Sequence, residues 1–204
     1  NGTSAINPFY KFFFDRDYFG ASESLHNKLV ARNDPRDDPF FQPYDTELIF
    51  APNGNPSQEQ GTYGLSGLLD EAAPVRMLSF HELQFLKAEA YARLGNLPSA
   101  QSAAKLGVEA AFTKVGLTTA EADTYFTTSV LPLIVANPLK EILLQKYLSF
   151  YEDEAIEAYN DYRRSKAMGN DYANLENSNP VPLRFTYGSS DVTTNNNVKA
   201  AYGD

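Results

Sequence analysis

Residues 141–164 constrain the fold most, because their apolar side chains recur with helical spacing over several turns. Such spacing places one apolar stripe along a single helix or along two consecutive helices. Asp153 is the candidate N-cap of the second helix, with Glu154 and Glu157 in its first turns, where the helix dipole favours anions. The stripe consists of Leu139, Leu143, Tyr147, Phe150, Ala155, Ala158 and Tyr162.

The composition is that of a globular protein and excludes several classes of function. The chain has 204 residues, of which 43% are hydrophobic, so it can form one domain with a core. A formal net charge of -9 argues against nucleic-acid binding and against electrostatic adsorption to anionic membranes. The negative net charge is compatible with a ligand that is neutral or weakly charged. The absence of cysteine excludes disulfides, thiolate metal sites and a cysteine nucleophile.

The distribution of proline, glycine and helical periodicity divides the chain into three regions. We predict a loop-rich segment with a short helix (1–78), a helical core (79–168) and an irregular tail (169–204) that wraps the helices. Within the tail, residues 180–187 are a candidate short strand. No apolar run approaches the roughly 20 residues that a membrane-spanning helix needs.

In the first region, the aromatic run 9–14 predicts a short buried strand or an extended segment. Ser22 is expected to open a helix, and residues 46–50 are a further candidate strand. The dense prolines and glycines of 35–76 predict a long irregular connection, which in a compact domain is usually functional or mobile. The apolar face of the predicted helix comprises Leu25, Leu29 and Val30.

The middle region predicts three helices. Ser79 is a good N-cap and, with Glu82, forms the sequence pattern of a capping box. The second helix is expected over 98–115, and Thr119 is expected to cap a third that ends near Val130. The apolar positions of the first helix are Leu83, Leu86, Ala90 and Leu94.

Residues 88–111 allow two interpretations. Small residues at regular points let two antiparallel helices approach closely, as in one ordinary helical hairpin or in one tetratricopeptide-like unit that stacks on others. Three or more such repeats are normally needed for stability, and this sequence contains one. The positions that carry the pattern are Tyr91, Leu94, Gly95, Ala100, Ala104 and Ala111.

The sequence offers no catalytic constellation. His81 and Glu82 begin a zinc-protease pattern, but Phe85 occupies the position of the second histidine, and the remaining histidine is His26. A pair of carboxylates within 152–161 could serve a glycosidase, but capping and ion pairing explain these acids more simply. We therefore predict no cofactor and no metal site.

Four segments together carry a resemblance to a known family. They are NDPR at 33–36, MLSFHELQFLKAEAYARLG at 77–95, QKY followed by EAYNDYRR within 141–164, and PLRFTYGSSDVTTNNNV at 182–198. In this order the chain resembles the C-terminal part of the SusD/RagB-like outer-membrane lipoproteins, in the SusD-like branch that carries a starch-binding label. Tyr159 stands where that family usually has tryptophan.

The resemblance implies a mainly α fold, a helical bundle with a tetratricopeptide-like helix pair, long loops and little β structure. It implies a non-enzymatic protein on the extracellular face of the outer membrane, held by an N-terminal lipid anchor that this chain does not contain. It also implies two partners: a SusC-like TonB-dependent transporter, and an oligosaccharide or polysaccharide, or in some members a peptide. A protein- or peptide-binding module of the tetratricopeptide type is the alternative.

Ligand-binding residues do not follow from the resemblance, so the candidates come from physical chemistry. A sugar is held by aromatic faces and planar polar groups in a shallow site. The candidates are Phe40, Phe41, Tyr44 and Tyr63, in the proline- and glycine-rich region. The alternative is that these aromatic side chains pin the loop to the helices. Separately, Glu157, Asp161, Arg163 and Arg164 are expected to hold the helices and the tail together.

Overall fold

The computed structural model describes residues 6–16, 19–55, 59–173, 176 and 187–202, and most of them are helical. The predicted mainly α fold with little β structure is confirmed. The helices are α1 (Pro8–Arg16), α2 (Glu23–Val30), α3 (Asp37–Phe40), α4 (Phe80–Arg93), α5 (Leu97–Lys114), α6 (Thr119–Tyr125), a π-helical turn (Phe126–Val130), α7 (Leu131–Ala136), α8 (Pro138–Ser149), α9 (Ala155–Ala167), α10 (Ser189–Thr194) and α11 (Asn196–Tyr202).

The described β structure is one short antiparallel pair within the loop-rich region. Strands β1 (Phe41–Gln42) and β2 (Leu65–Ser66) pair with Phe41 opposite Ser66. The strand predicted at 46–50 is wrong, because that stretch is irregular. The chain leaves it toward Ala51, which forms an isolated bridge with Ser22.

The aromatic run 9–14 belongs to α1, so the predicted strand or extended segment is wrong here too. The Asn7 side chain accepts hydrogen bonds from the backbone nitrogens of Phe9 at 2.8 Å and Tyr10 at 3.1 Å. Pro8 follows this cap, at a position where its missing N–H costs nothing. Asn7 also ties the helix to the loop through its backbone nitrogen, which donates to the carbonyl of Glu71 at 2.8 Å.

Helix α2 begins as predicted, and the Ser22 hydroxyl accepts a hydrogen bond from the backbone nitrogen of Leu25. Leu25 and Leu29 are buried, but Val30 is 52% exposed, so the prediction that it shares their face is wrong. Leu29 packs in a cluster with Phe40 and Leu148, which joins the loop-rich region to α8.

Helices α4 and α5 form the predicted antiparallel hairpin. The Ser79 hydroxyl accepts a hydrogen bond from Glu82 N at 3.0 Å, and Gly95 turns the chain with a φ of 74°. At the crossing, Gly107 lies so close to Phe85 that a Cβ on Gly107 would stand 2.9 Å from the phenyl ring. The small residues therefore set the distance between the two helices, as the pattern indicated.

The buried face of α4 is not the one that carries most of its leucines. Leu83, Leu86 and Leu94 are 43%, 40% and 79% exposed. Phe85 and the charged Glu89 are buried instead. Helical periodicity alone leaves open which of two faces turns inward. Here the ion pair between Glu89 and α9 stabilises the alternative face.

The third predicted helix is longer and less regular than expected. Thr118, rather than Thr119, is the N-cap of α6, with a reciprocal capping box to Glu121. The chain continues through the π-helical turn, where the Leu131 backbone nitrogen donates to the carbonyl of Phe126. Pro132 has no N–H to donate, which interrupts the regular ladder at this point.

Residues 141–164 form two consecutive helices, one of the two predicted arrangements. The prediction that Asp153 caps α9 is wrong, because the N-cap position belongs to Glu154, which makes no side-chain cap bond. Asp153 turns away and forms an ion pair with Lys114 of α5 at 2.8 Å.

The tail is more regular than predicted where it is described, since α10 and α11 occupy most of 187–202. The candidate strand at 180–187 lies, apart from Tyr187, outside the described residues. The division at 78 and 168 stays a prediction. Within the described part of the chain, no helix is both long enough and apolar enough to cross a membrane.

Candidate functional site

The NDPR and QKY segments meet in a buried hydrogen-bond network. Arg36 is fully buried, and its guanidinium donates to Asp34 Oδ1 at 2.9 Å and Oδ2 at 2.6 Å. The same group donates to Gln145 Oε1 at 2.8 Å and to Ser149 Oγ at 3.1 Å. Burial alone would raise the pKa of Asp34, but the charge and hydrogen bonds of Arg36 outweigh it and lower that pKa. These residues are occupied with one another, so their role is structural.

A second network joins α4, α8 and α9. Lys146 Nζ lies 2.6 Å from Asp161 Oδ2, and Arg164 bridges Asp161 at 2.9 Å and Glu89 at 2.7 Å. Asp161 and Arg164 thus hold α9 to α8 and α4, as predicted for the helices. Arg163 lies over the ring of Tyr159 at 5.8 Å, and the predicted holding role of Arg163 and Glu157 and any contact with the tail stay predictions.

His81 is part of a buried pair rather than a metal site. Its Nε2 lies 2.6 Å from Glu154 Oε2, and both side chains are nearly inaccessible. Burial would raise the pKa of Glu154, but the hydrogen bonds from His81 and Ser79 lower it. Across the described ranges, no group of three or more histidine or carboxylate side chains is placed to hold a metal ion.

The four predicted ligand residues do not lie together on one surface. Phe40 and Phe41 are 2% and 6% exposed. Phe40 stacks on Tyr151 at 4.4 Å between centroids, so protein occupies its face as the pinning alternative requires. Tyr44 is 44% exposed, and Tyr63 is half-buried beside Gly20. A contribution of these residues to ligand binding stays a prediction, for which Tyr44 and Tyr63 have the accessible rings.

An aromatic cavity that the sequence reasoning missed lies next to Tyr63. We call it the Glu152 cavity, and its volume is about 140 Å³. It is partly open, and Phe19 on its wall is 48% exposed. Helix α1, strand β2 and the α8–α9 turn build it from distant parts of the chain, which is why no local motif indicates it. Its lining residues are Phe9, Phe13, Phe19, Gly20, Ser66, Tyr151 and Glu152.

Among the described residues that line this cavity, Glu152 is the one carboxylate. Its backbone has a φ of 71°, in the left-handed region that few residues other than glycine adopt. Its side chain accepts a hydrogen bond from the Ser66 hydroxyl. Burial, followed by the negative charge of Asp153, raises the pKa of Glu152 to about 7. The carboxyl group therefore changes charge near neutral pH, in contact with aromatic walls.

Two more hollows lie elsewhere on the surface. One of about 300 Å³ lies beside α2 and contains Ser24, Asn27 and Asn53. The other, of about 540 Å³, lies along α6 and the π-helical turn and contains Thr124 and Thr128. Both are open and present hydroxyl and amide groups but few aromatic faces.

Comparison with known proteins places the chain in a family. Residues 1–188 match the family model SusD-like_2, described as "Starch-binding associating with outer membrane". A crystal structure of a SusD/RagB family protein from Bacteroides thetaiotaomicron is 39% identical, with a TM-score of 0.79. The match covers 99% of this chain and 51% of that one, so this chain spans about half the length of that relative. No curated protein matches. The chain belongs to the SusD-like family.

Proposed function

We propose that this protein is a non-enzymatic nutrient-binding protein that captures glycans at the cell surface for a SusC-like TonB-dependent transporter. The observation that carries the proposal is the family match over residues 1–188, whose description names starch binding and the outer membrane. The 39% identity to a SusD/RagB family protein supports it. Because the matched relative is about twice as long, the proposal concerns the complete protein.

The candidate glycan surface is the Glu152 cavity together with its neighbour Tyr63. A sugar ring buries its apolar face on an aromatic ring and offers its hydroxyl groups to polar side chains. Phe19 supplies a ring here, Tyr63 adjoins the cavity at Gly20, and Ser66 and Glu152 supply hydrogen-bonding groups. A cavity of about 140 Å³ is smaller than the ~300–1,000 Å³ of typical small-molecule sites, so it would hold one end or one branch of a glycan.

The proposed location is the extracellular face of the outer membrane, with a lipid anchor on the full-length protein. The association with the outer membrane in the family description supports this location. Co-purification from detergent-solubilised membranes tests the transporter partner: a TonB-dependent transporter should accompany the full-length protein. Recovery of the protein without a transporter would contradict that part of the proposal.

Calorimetry and affinity electrophoresis against a panel of polysaccharides test glycan binding by the full-length protein. We expect binding to at least one polysaccharide, weakened by Tyr63→Ala at an unchanged melting temperature. Phe80→Ala is a suitable control, because Phe80 is 58% exposed on α4 and does not line the cavity. Binding of peptides in place of every polysaccharide would overturn the sugar assignment.

A second candidate function, a protein- or peptide-binding module of the tetratricopeptide type, has one observation in its favour. The exposed side of α4 and the turn before it carry a row of large apolar side chains, which on a protein surface often marks an interaction site. Such a module should retain a protein partner from membranes whether or not glycan is present. The row consists of Met77, Leu78, Phe80, Leu83, Leu86 and Leu94.

A further inference from the structure

We propose that the Glu152 cavity binds a primary ammonium group of the ligand, which forms an ion pair with Glu152 against the surrounding phenyl rings. The ligand would be an amino sugar within a glycan or a lysine side chain of a peptide. This inference rests on the proposed function, because it specifies which chemical group of the captured nutrient is recognised.

The walls of the cavity suit a cation. Phe9 and Phe19 lie 5.4 Å apart between centroids with their planes tilted by 33°, so they form a continuous aromatic wall. Phe13, which is 4% exposed, contributes a further ring. The negative face of an aromatic ring attracts ammonium groups, and the attraction strengthens when water is excluded. The residues of α1 that line the cavity are Phe9 and Phe13, and their rings can attract a positively charged group.

The carboxylate in the cavity lacks a cationic partner, whereas its neighbour has two. Asp153 forms ion pairs with Lys114 at 2.8 Å and with Arg76 at 3.2 Å. Lys114 also donates to the carbonyl of Tyr151 at 3.1 Å, which fixes its position. Among the residues that the structure describes, no lysine, arginine or histidine forms an ion pair with Glu152. Its hydrogen-bond donor is the Ser66 hydroxyl.

Within the described part of the chain, this arrangement leaves the Glu152 carboxylate without an ion-pair partner, and a cationic ligand could take that place. A partly buried carboxylate without a cation is unfavourable, and a bound ammonium would remove that penalty. The pKa of Glu152 is raised first by burial and then by Asp153, and the opposing effect of Lys114, which is paired with Asp153, is smaller. The formal net charge of -9 would in addition attract cationic ligands.

The backbone supports a functional role for this turn. Glu152 adopts a φ of 71°, and a non-glycine residue keeps this conformation when the surrounding structure requires it. The turn thereby presents the carboxyl group beside the rings. A volume of about 140 Å³ corresponds to roughly five water molecules, room for one amino-bearing ring or one lysine end.

The test compares ligands that differ in the amino group and variants that differ in one carboxylate. Titration calorimetry of the full chain would use glucosamine, N-acetylglucosamine and N-acetyl-lysine amide (with a free ε-amino group) at pH 7, where the amino groups are mostly protonated and Glu152 is about half ionised. The variant is Glu152→Gln. The matched control is Glu157→Gln, which removes an exposed carboxylate from α9 outside the cavity.

We expect glucosamine or N-acetyl-lysine amide to bind the wild-type chain, and whichever binds identifies the source of the ammonium. Glu152→Gln should weaken that binding by roughly tenfold or more, while Glu157→Gln should leave it unchanged. Binding at pH 6 should release protons, measured from buffers of different ionisation enthalpy, because the ammonium favours the ionised carboxylate.

Several results would overturn the proposal. They are equal affinity for glucosamine and its N-acetyl derivative when both bind, equal affinity of the wild-type and Glu152→Gln chains for the amine that binds, or no binding of either amine at millimolar concentration. None of these results bears on glycan capture as such. That function is contradicted if the full-length protein binds no polysaccharide. A folded state for both variants is verified by their circular dichroism and melting curves.

Discussion

Lys146 of α8 and Asp161 of α9 form a buried ion pair, with Nζ and Oδ2 separated by 2.6 Å. Next to Lys146, Gln145 accepts a hydrogen bond from Arg36 at 2.8 Å. The QKY segment thus connects to the NDPR segment on one side and to the EAYNDYRR segment on the other. These three segments hold the helices together, and the contacts between them lie apart from the Glu152 cavity.

Loss of Arg36 should destabilise the chain strongly. Arg36→Met leaves Asp34 buried without its cation, and breaking a buried pair costs about 3–5 kcal/mol. Urea unfolding followed by circular dichroism measures the free energy of unfolding. Lys11→Met is the control, because Lys11 and Asp15 form an exposed pair. Equal losses in both variants would contradict a special role of the buried network.

Arg164→Ala should lower the melting temperature and leave ligand affinity per folded molecule unchanged. Arg164 links Glu89 to Asp161 but is 40% exposed, so solvent screening limits the loss to about 1 kcal/mol, or roughly 2–4 °C. Ile156→Ala on the same helix should cost less, because Ile156 is 76% exposed. A larger shift for Ile156→Ala would contradict a stabilising role for the ion pairs of Arg164.

Local chemistry explains why the helices were predictable. Ser22 and Ser79 accept the capping bonds that their positions indicate, and Gly95 ends α4 in the left-handed conformation. The prediction for residues 9–14 was wrong because consecutive aromatic residues show neither a helical nor a strand period. The Asn7 side chain caps this segment and starts a helix there. The buried face of α4 could not be predicted from its apolar spacing, because Glu89 on that face is stabilised by Arg164, 75 positions away.

The candidate site was harder to predict than the fold. Phe40 and Phe41 were chosen because they lie in a loop-like region, but both are buried in the cluster with Leu29 and Leu148. The Glu152 cavity could not be predicted from the sequence, because its walls come from α1, β2 and the α8–α9 turn, which are far apart along the chain. A solitary glutamate in a turn between two helices gives no sequence signal of its own.

Gly107→Ala should destabilise the α4–α5 hairpin. A helical alanine is intrinsically better than glycine by about 1 kcal/mol, but its Cβ would stand 2.9 Å from the ring of Phe85, which is fully buried. Overpacking costs about 1–3 kcal/mol, so we expect a net loss of about 1 kcal/mol. Chemical denaturation measures it, with Ser102→Ala on the exposed side of α5 as the control. An increase in stability would show that the hairpin can open without cost.

Phe40→Ala and Tyr44→Ala should separate packing from binding. Phe40 is 2% exposed and stacks on Tyr151, so its truncation should cost about 3–5 kcal/mol of unfolding free energy. Tyr44 is 44% exposed, and Tyr44→Ala should change stability little but weaken glycan binding if this ring contributes. Thermal melting measures the stability of both variants, and calorimetry measures their affinity for the glycan. Unchanged affinity in Tyr44→Ala would remove this residue from the candidate surface.

The stability of the chain should depend on pH through Glu152. Its pKa is about 7 in the folded protein against an ordinary value of 4.5, because burial and Asp153 disfavour the charged form. From about pH 4.5 to about pH 7 the unfolded chain loses this proton while the folded chain keeps it. The wild-type chain should therefore lose stability relative to Glu152→Gln as the pH rises through this window.

Above pH 7 both states are ionised, and the difference in unfolding free energy between the two chains should become constant. Urea unfolding at a series of pH values from 4 to 8 measures that difference, with Glu157→Gln as a control for the removal of a carboxylate at an exposed position. A wild-type chain that gains stability relative to Glu152→Gln over the same range would mean that Glu152 has a cationic partner. In that event the cavity would offer no free negative charge to a ligand.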